Sequence, residues 1–111
     1  MGDRAYDVVI GGAGPAGIFT ALELTREPSP LKVLLLEKGS DLDHRSCPLQ
    51  VSVSRCTRCR PCYLLSGWGG AGAFSDGKLT LSPEIGGALG EYVGREALEG
   101  LIADVDRLYL R

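Results

Sequence analysis

The chain has 111 residues, 44% hydrophobic content and a formal net charge of −2 at pH 7, which argues against a disordered segment. Its 16 glycines cluster without a repeat, so a collagen-like or low-complexity chain is excluded. The sequence has no basic stripe of the kind that would predict a nucleic-acid partner. No apolar run approaches the roughly 20 residues of a membrane span, so we expect a cytoplasmic protein.

The first third of the chain predicts a strand, a helix and a second strand. A β-branched run over residues 6–10 is typical of a strand buried on both faces. Apolar residues then follow helical spacing from Pro15 to Arg26, and the two prolines at 28 and 30 end that helix. A second continuous apolar run over residues 31–37 completes a β-α-β unit.

The remainder divides into an irregular stretch and a helix. From Ser40 to about Thr80 no period is sustained, which is typical of a functional or incomplete segment. Its lone His44 gives no reason to assign a general acid or base. Beyond Gly94 a helical face returns, formed by Ala97, Leu98, Leu101, Ile102, Val105, Leu108 and Tyr109.

A glycine motif lies between the first strand and its helix. The glycines of this G-x-G-x-x-G pattern have separate roles, since Gly12 permits the tight turn, Gly14 lets a pyrophosphate approach the backbone, and Gly17 lets the helix pack against the sheet. The first helical turn offers free N–H groups and a positive dipole end to the diphosphate. The predicted binding residues are Gly12, Ala13, Gly14, Pro15, Ala16 and Gly17.

An acidic residue follows the motif at the spacing that dinucleotide sites use. Glu37 lies twenty residues after Gly17, at the end of the second strand, where its carboxylate can accept hydrogen bonds from both ribose hydroxyls. A 2′-phosphate would meet it as a like charge, which disfavours NADP and leaves FAD and NAD open. Lys38 is added to the predicted cofactor contacts.

The segment from Asp7 to Gly17, followed by Ala21, Leu24, Val33 and Glu37, resembles the N-terminal FAD site of the two-dinucleotide-binding-domain flavoproteins. A Cys-Pro pair, a Cys-rich segment and Ser66 to Leu79 are similar to a set of poorly characterised FAD-dependent dehydrogenases. The resemblance implies a Rossmann-like α/β fold, FAD as cofactor and a longer parent enzyme, of which residues 1–111 are the N-terminal part of the FAD-binding domain. We therefore expect these residues alone to hold FAD weakly and to lack turnover.

The glycine-rich segment after Ser66 has two interpretations. It can bring backbone N–H groups to the cofactor, which predicts contacts from Gly69, Gly70, Ala71 and Gly72, with Asp76 and Lys78 as further polar candidates. Alternatively, it is a tight loop that packs Trp68 and Phe74 into the core. The resemblance and the composition favour the first interpretation.

All four cysteines fall between residues 47 and 62, as Cys47 and then Cys56-x-x-Cys59-x-x-Cys62. The spacing suits a zinc site and is similar to the cysteine spacing of iron–sulfur ferredoxins. The fourth cysteine that usually follows in the ferredoxin motif is missing. A flavoprotein needs neither, so we predict no metal ligand, and disulfides are not expected in the cytoplasm.

Together these features predict the FAD-binding part of a flavin-dependent oxidoreductase, with a small-molecule substrate. NAD(P)H is left open as a partner of the parent enzyme, and no catalytic residue is assigned. The alternatives are an NAD-binding dehydrogenase domain and a truncated, non-catalytic fragment with a cysteine metal site. The sequence names neither the substrate nor the oligomeric state.

Overall fold

The computed structural model describes residues 5–51 and 54–110. The chain divides into two compact units, one up to Ser75 and one from Asp76 onward. Each unit is described by itself.

The first unit contains the predicted strand, helix and second strand. Strand β1 (Val8–Gly11) pairs in parallel with β2 (Val33–Leu36), in a register that places Val8 beside Val33 and Gly11 beside Leu36. Helix α1 (Pro15–Leu24) connects them and contacts both strands. It ends at Leu24, before the predicted Arg26, and Thr25 is its C-cap residue, whose hydroxyl donates to the Ala21 carbonyl at 2.8 Å.

The two strands are held together at their amino ends by one residue pair. The Asp7 N–H donates to the Lys32 carbonyl at 2.9 Å, and the Lys32 N–H donates to Asp7 Oδ2 at 2.8 Å. A side chain thus extends the ladder by one step beyond the last paired residues.

The strands are less buried than their composition predicts. Val8 and Ile10 are half-buried, whereas Val9 is 59% exposed and Leu36 is 52% exposed. The expectation of a strand buried on both faces is therefore wrong for β1, because its side chains alternate between a partly covered face and solvent.

Residues 40–75 form short turns around a compact junction. They include a 3-10 turn (Leu42–His44), the one-turn helix α2 (Pro48–Val51) and a 3-10 helix (Gly70–Phe74). Within the described residues, only four are buried, and all lie where this segment meets the glycine loop: Ala13, Arg45, Gly67 and Gly70. The densest packing of the first unit is therefore at the loops rather than beneath the sheet.

The second unit is a pair of helices, α3 (Leu89–Val93) and α4 (Arg95–Tyr109). Gly94 separates them with φ +83, a conformation that favours glycine. Arg95 donates to Glu84 at 2.8 Å and to Glu99 at 2.9 Å, so it ties the start of α4 to the preceding loop. Helix α4 agrees with its sequence prediction, whereas the five-residue α3 was not predicted.

Neither unit contains, within its described residues, a helix that is both long enough and apolar enough to cross a membrane.

Candidate functional site

A cavity of about 670 Å³ opens at the carboxyl ends of the two parallel strands. In parallel α/β sheets, ligands bind at this edge. Five of its lining residues belong to the predicted cofactor site: Gly12, Gly14, Glu37, Lys38 and Gly70. The others are Gly11, Leu36, Leu65 and Ser66.

The glycine loop is folded tightly against the end of β1. The Gly12 N–H donates to the Leu36 carbonyl at 2.6 Å, and its φ of +106 is a conformation that favours glycine. A Cβ on Gly17 would lie 1.9 Å from the Gly12 carbonyl oxygen, so only glycine fits at that position of α1. These two residues shape the loop, as their spacing predicts.

Gly14 is different, because no contact among the described residues requires glycine at this position. Its φ of −78 and ψ of 179 are ordinary extended values that any residue adopts. Among the described residues, no atom lies within 4 Å of where its Cβ would stand. Since Gly14 lines the cavity and is the N-cap residue of α1, the missing side chain leaves the helix end open to a ligand.

Helix α1 presents an uncapped N-terminus at this point. No side chain among the described residues caps it, and Pro15 occupies its first turn. The early N–H groups of a helix have no intrahelical partner and carry the positive end of its dipole. This end of α1 is therefore suited to an anionic group.

The Glu37 side chain accepts hydrogen bonds from three backbone N–H groups. Its Oε2 accepts the Ala13 N–H at 2.8 Å, while Oε1 accepts the N–H groups of Gly39 at 2.8 Å and Gly67 at 2.9 Å. Oε2 accepts one of these N–H groups and Oε1 accepts two, so Oε2 is the oxygen with more acceptor capacity left for a ligand. The ribose contact of Glu37 stays a prediction.

The same hydrogen bonds keep Glu37 ionised. The Ala13 N–H, followed by that of Gly39, lowers the pKa of Glu37 below its ordinary value of 4.5. Partial burial opposes the shift, and the N–H groups of Gly67 and Lys38 add to it. At neutral pH the cavity therefore contains a fixed negative charge beside the ends of both strands.

The second glycine segment packs against the first. The Gly69 N–H donates to the Ala13 carbonyl at 2.8 Å, and Cβ atoms on Gly70 and Gly72 would lie 3.0 Å from Gly14 Cα and 3.2 Å from Pro15 Cγ. Of the four residues predicted here, Gly70 lines the cavity, while Gly69 and Gly72 support the loop behind it.

The alternative interpretation of this segment, a loop that buries two aromatic side chains, is not what the structure shows. Trp68 is 45% exposed and Phe74 is 42% exposed. The segment packs through its backbone, which explains its glycine content.

Arg45 is a site residue that sequence reasoning missed. It is only 5% exposed and donates to three backbone carbonyls of the segment that forms one wall of the cavity. A lone arginine in an irregular stretch gives no periodic signal. The cavity residues Leu65 and Ser66 were missed for the same reason.

The remaining polar candidates have the following partners. Asp76 and Lys78 belong to the second unit, where they pair with each other at 3.0 Å. His44 hydrogen-bonds to Asp41, which lowers the pKa of that aspartate.

The four cysteines are free thiols, with Cys56 exposed and the other three half-buried. Across residues 5–51 and 54–110, no group of three or more His, Cys, Asp or Glu side chains is placed to hold a metal ion. The Cys59 thiol instead contacts the Thr57 hydroxyl at 3.1 Å, and the Arg58 N–H donates to Cys56 Sγ at 3.4 Å.

Comparison with known proteins finds a relative of uncharacterized function. The chain is 43% identical over 77 residues to an uncharacterized protein of Clostridium beijerinckii. The aligned residues make up 69% of this chain and 14% of that protein. The aligned segment thus spans about a seventh of the relative's length. No protein-family model matches the chain, and no solved structure matches it significantly.

Proposed function

We propose that this chain is the FAD-binding part of a flavin-dependent oxidoreductase, in which it binds the ADP half of the cofactor. The observation that carries the proposal is the cavity at the carboxyl ends of β1 and β2, where Gly14 and Glu37 meet the uncapped end of α1. A diphosphate and a ribose are the adjoining groups that this combination of charges suits.

The diphosphate would lie against the loop at Gly12 and Gly14. Backbone N–H groups and the positive end of α1 supply the attraction, so no lysine or arginine is needed there. Because a Cβ at Gly14 would point into open space, the glycine has a role only if another molecule fills that space.

The ribose would lie against Glu37. The acceptor position left on Oε2 can bind one hydroxyl, and the lowered pKa keeps the carboxylate charged at neutral pH. A 2′-phosphate would be repelled, so the site favours FAD or NAD over NADP. The resemblance of the sequence to flavoproteins favours FAD between these two.

Bound flavin would supply the hydride or electron chemistry, while the protein supplies binding and orientation. The residues described here contact the nucleotide end only, so the substrate and the catalytic groups are not assigned. An NAD-binding site would use the same contacts and is an outcome that the experiment below can reveal.

The proposal is tested by titrating the isotope-labelled chain with FAD, NAD, NADP and FMN and following backbone amide signals by NMR, which detects weak binding. We expect FAD to shift the amides of Gly12 and Gly14, and FMN, which lacks the adenosine half, to leave them unchanged. Stronger binding of NAD than of FAD would favour the NAD alternative. Equal binding of NADP and NAD would contradict the role of Glu37.

A variant pair separates ligand exclusion from folding. Gly14→Val should weaken FAD binding by about tenfold or more, because its side chain would occupy the space of the diphosphate. Gly100→Val serves as the control, since its Cβ also meets nothing within 4 Å among the described residues, but in α4 of the second unit. Full FAD affinity in Gly14→Val would overturn the proposed site.

A further inference from the structure

Arg45 is a buried cation whose charge faces carbonyl oxygens and a ring. Its guanidinium donates to Tyr63 O at 2.9 Å, Leu64 O at 2.8 Å and Trp68 O at 2.7 Å, and it lies 4.7 Å from the centroid of the Phe74 ring. A buried charge is expensive unless its hydrogen bonds are made. These contacts satisfy the guanidinium and connect it to both ends of one short segment.

The carbonyls that Arg45 binds flank one wall of the cavity. Tyr63 and Leu64 immediately precede Leu65 and Ser66, which line the cavity, and Trp68 follows them. Because a guanidinium is planar and its donors form a rigid fork, it fixes the three carbonyls relative to one another. A lysine ammonium, with all its donors on one nitrogen, cannot reproduce that arrangement.

Gly67 lies between Leu64 and Trp68 in the sequence and is closely packed. Its N–H donates to Glu37 Oε1 at 2.9 Å, while a Cβ on Gly67 would lie 2.6 Å from Arg45 Cδ and 2.5 Å from the Ser40 carbonyl oxygen. Glycine is therefore required at this position, because any side chain would collide with the Ser40 carbonyl and with Arg45. Glu37 and Arg45 both hold this short stretch of backbone, through the Gly67 N–H and the Trp68 carbonyl.

We propose that Arg45 is a positioning residue that fixes the Leu65–Ser66 wall and thereby sets the affinity of the cavity for its nucleotide. The link to affinity rests on the proposed function, whereas the placement of the wall does not. Arg45 acts through the backbone, without itself lining the cavity.

The test measures the opening of the wall and the affinity for ADP separately in the variants Arg45→Lys and Arg45→Ala. Amide hydrogen exchange at Ser66, whose N–H donates to Cys62 O at 2.8 Å, reports on the wall without any ligand. We expect this exchange to accelerate by about tenfold, and the affinity for ADP to fall by a similar factor, in both variants. Unchanged exchange in the paired amides of β1 and β2 would confirm that the first unit remains folded.

Chemical rescue adds a readout that general destabilisation would not produce. Guanidinium ion, below denaturing concentrations, should restore slow exchange at Ser66 and ADP affinity in Arg45→Ala but not in Arg45→Lys, where the side chain still fills the space. Sodium chloride at equal ionic strength should restore neither. Arg55→Ala, which removes an exposed arginine of the same connecting segment, should behave like the unaltered chain.

The outcomes are distinct. Unchanged Ser66 exchange in both Arg45 variants would overturn the positioning role, and faster exchange with full ADP affinity would overturn its link to binding. An unaltered chain that binds no ADP would overturn the proposed function instead, while faster exchange at Ser66 would still support Arg45 as the residue that fixes the wall.

Discussion

The two glycine-rich segments of the first unit use the same residue for opposite purposes. In the first, Cβ atoms at Gly12 and Gly14 would meet no described atom within 4 Å. In the second, Cβ atoms at Gly67, Gly69 and Gly70 would lie 2.5–3.0 Å from neighbouring atoms. At Gly12 and Gly14 the first segment leaves space open at a cavity, although its Gly17 packs closely against Gly12. The second segment lets one backbone lie against another.

This difference shows why glycine content alone does not locate a ligand. A glycine with an ordinary φ and open space beside it suggests that something outside the chain approaches it. A glycine with positive φ and close neighbours is explained by the fold itself. Substitution by alanine separates the two cases, because the stability of the chain responds in one and not in the other.

The largest effect is expected at Gly67. Gly67→Ala should destabilise the first unit by about 3 kcal/mol, because the new Cβ collides with the Ser40 carbonyl and the residue has φ +124. Urea unfolding followed by the fluorescence of Trp68, the single tryptophan of the sequence, measures the change. A loss below about 1 kcal/mol would mean that the second segment is loosely packed.

An intermediate effect is expected from Glu37, which joins the two segments. Its folded pKa is lowered, so the stability it contributes is fully present above its unfolded pKa and is lost as the pH falls through the folded pKa. Glu37→Gln should therefore reduce the free energy of unfolding at neutral pH. It should also make that free energy decrease less as the pH falls into the acid range. Urea unfolding over a pH series measures both effects, and the control is Asp76→Asn, at an exposed carboxylate of the second unit whose pKa is also lowered.

The smallest effect is expected at Gly14. Gly14→Ala should change the stability by less than about 1 kcal/mol, because φ is ordinary and space is open. Gly100→Ala should raise stability by roughly 0.5–1 kcal/mol, since alanine is the better residue in a helix interior. Thermal unfolding of the two variants measures both changes in stability. A marked loss of stability in Gly14→Ala would contradict the contrast between the two segments.

Local pattern was sufficient to predict the strand, helix and second strand, because each depends on neighbouring residues. The bounds differ at α1, which stops at Leu24 where a threonine side chain closes its last turn. Helix α3 was missed because five residues ahead of a glycine are too short for a periodic signal. The Rossmann-like fold and the bound FAD remain predictions.

The site was predicted only where one loop defines it. The spacing from Gly17 placed Glu37 at the strand end, but the approach of Gly67 to its carboxylate depends on residues thirty positions away. Arg45 binds carbonyl oxygens, which every residue possesses, so its partners have no sequence signature. Gly39 also approaches Gly67 closely, since a Cβ on Gly39 would lie 2.4 Å from Gly67 N, but no local pattern pairs these two glycines in the sequence.

The paired hydrogen bonds between Asp7 and Lys32 bear on how the two strands keep their register. Joining β1 to β2 requires the intervening chain to close into a loop at an entropic cost. Asp7 and Lys32 are 25 positions apart, the same separation as Val8 and Val33, so their two bonds continue the ladder in its own register and help to offset that cost. The carboxylate of Asp7 therefore favours in-register pairing of the strands.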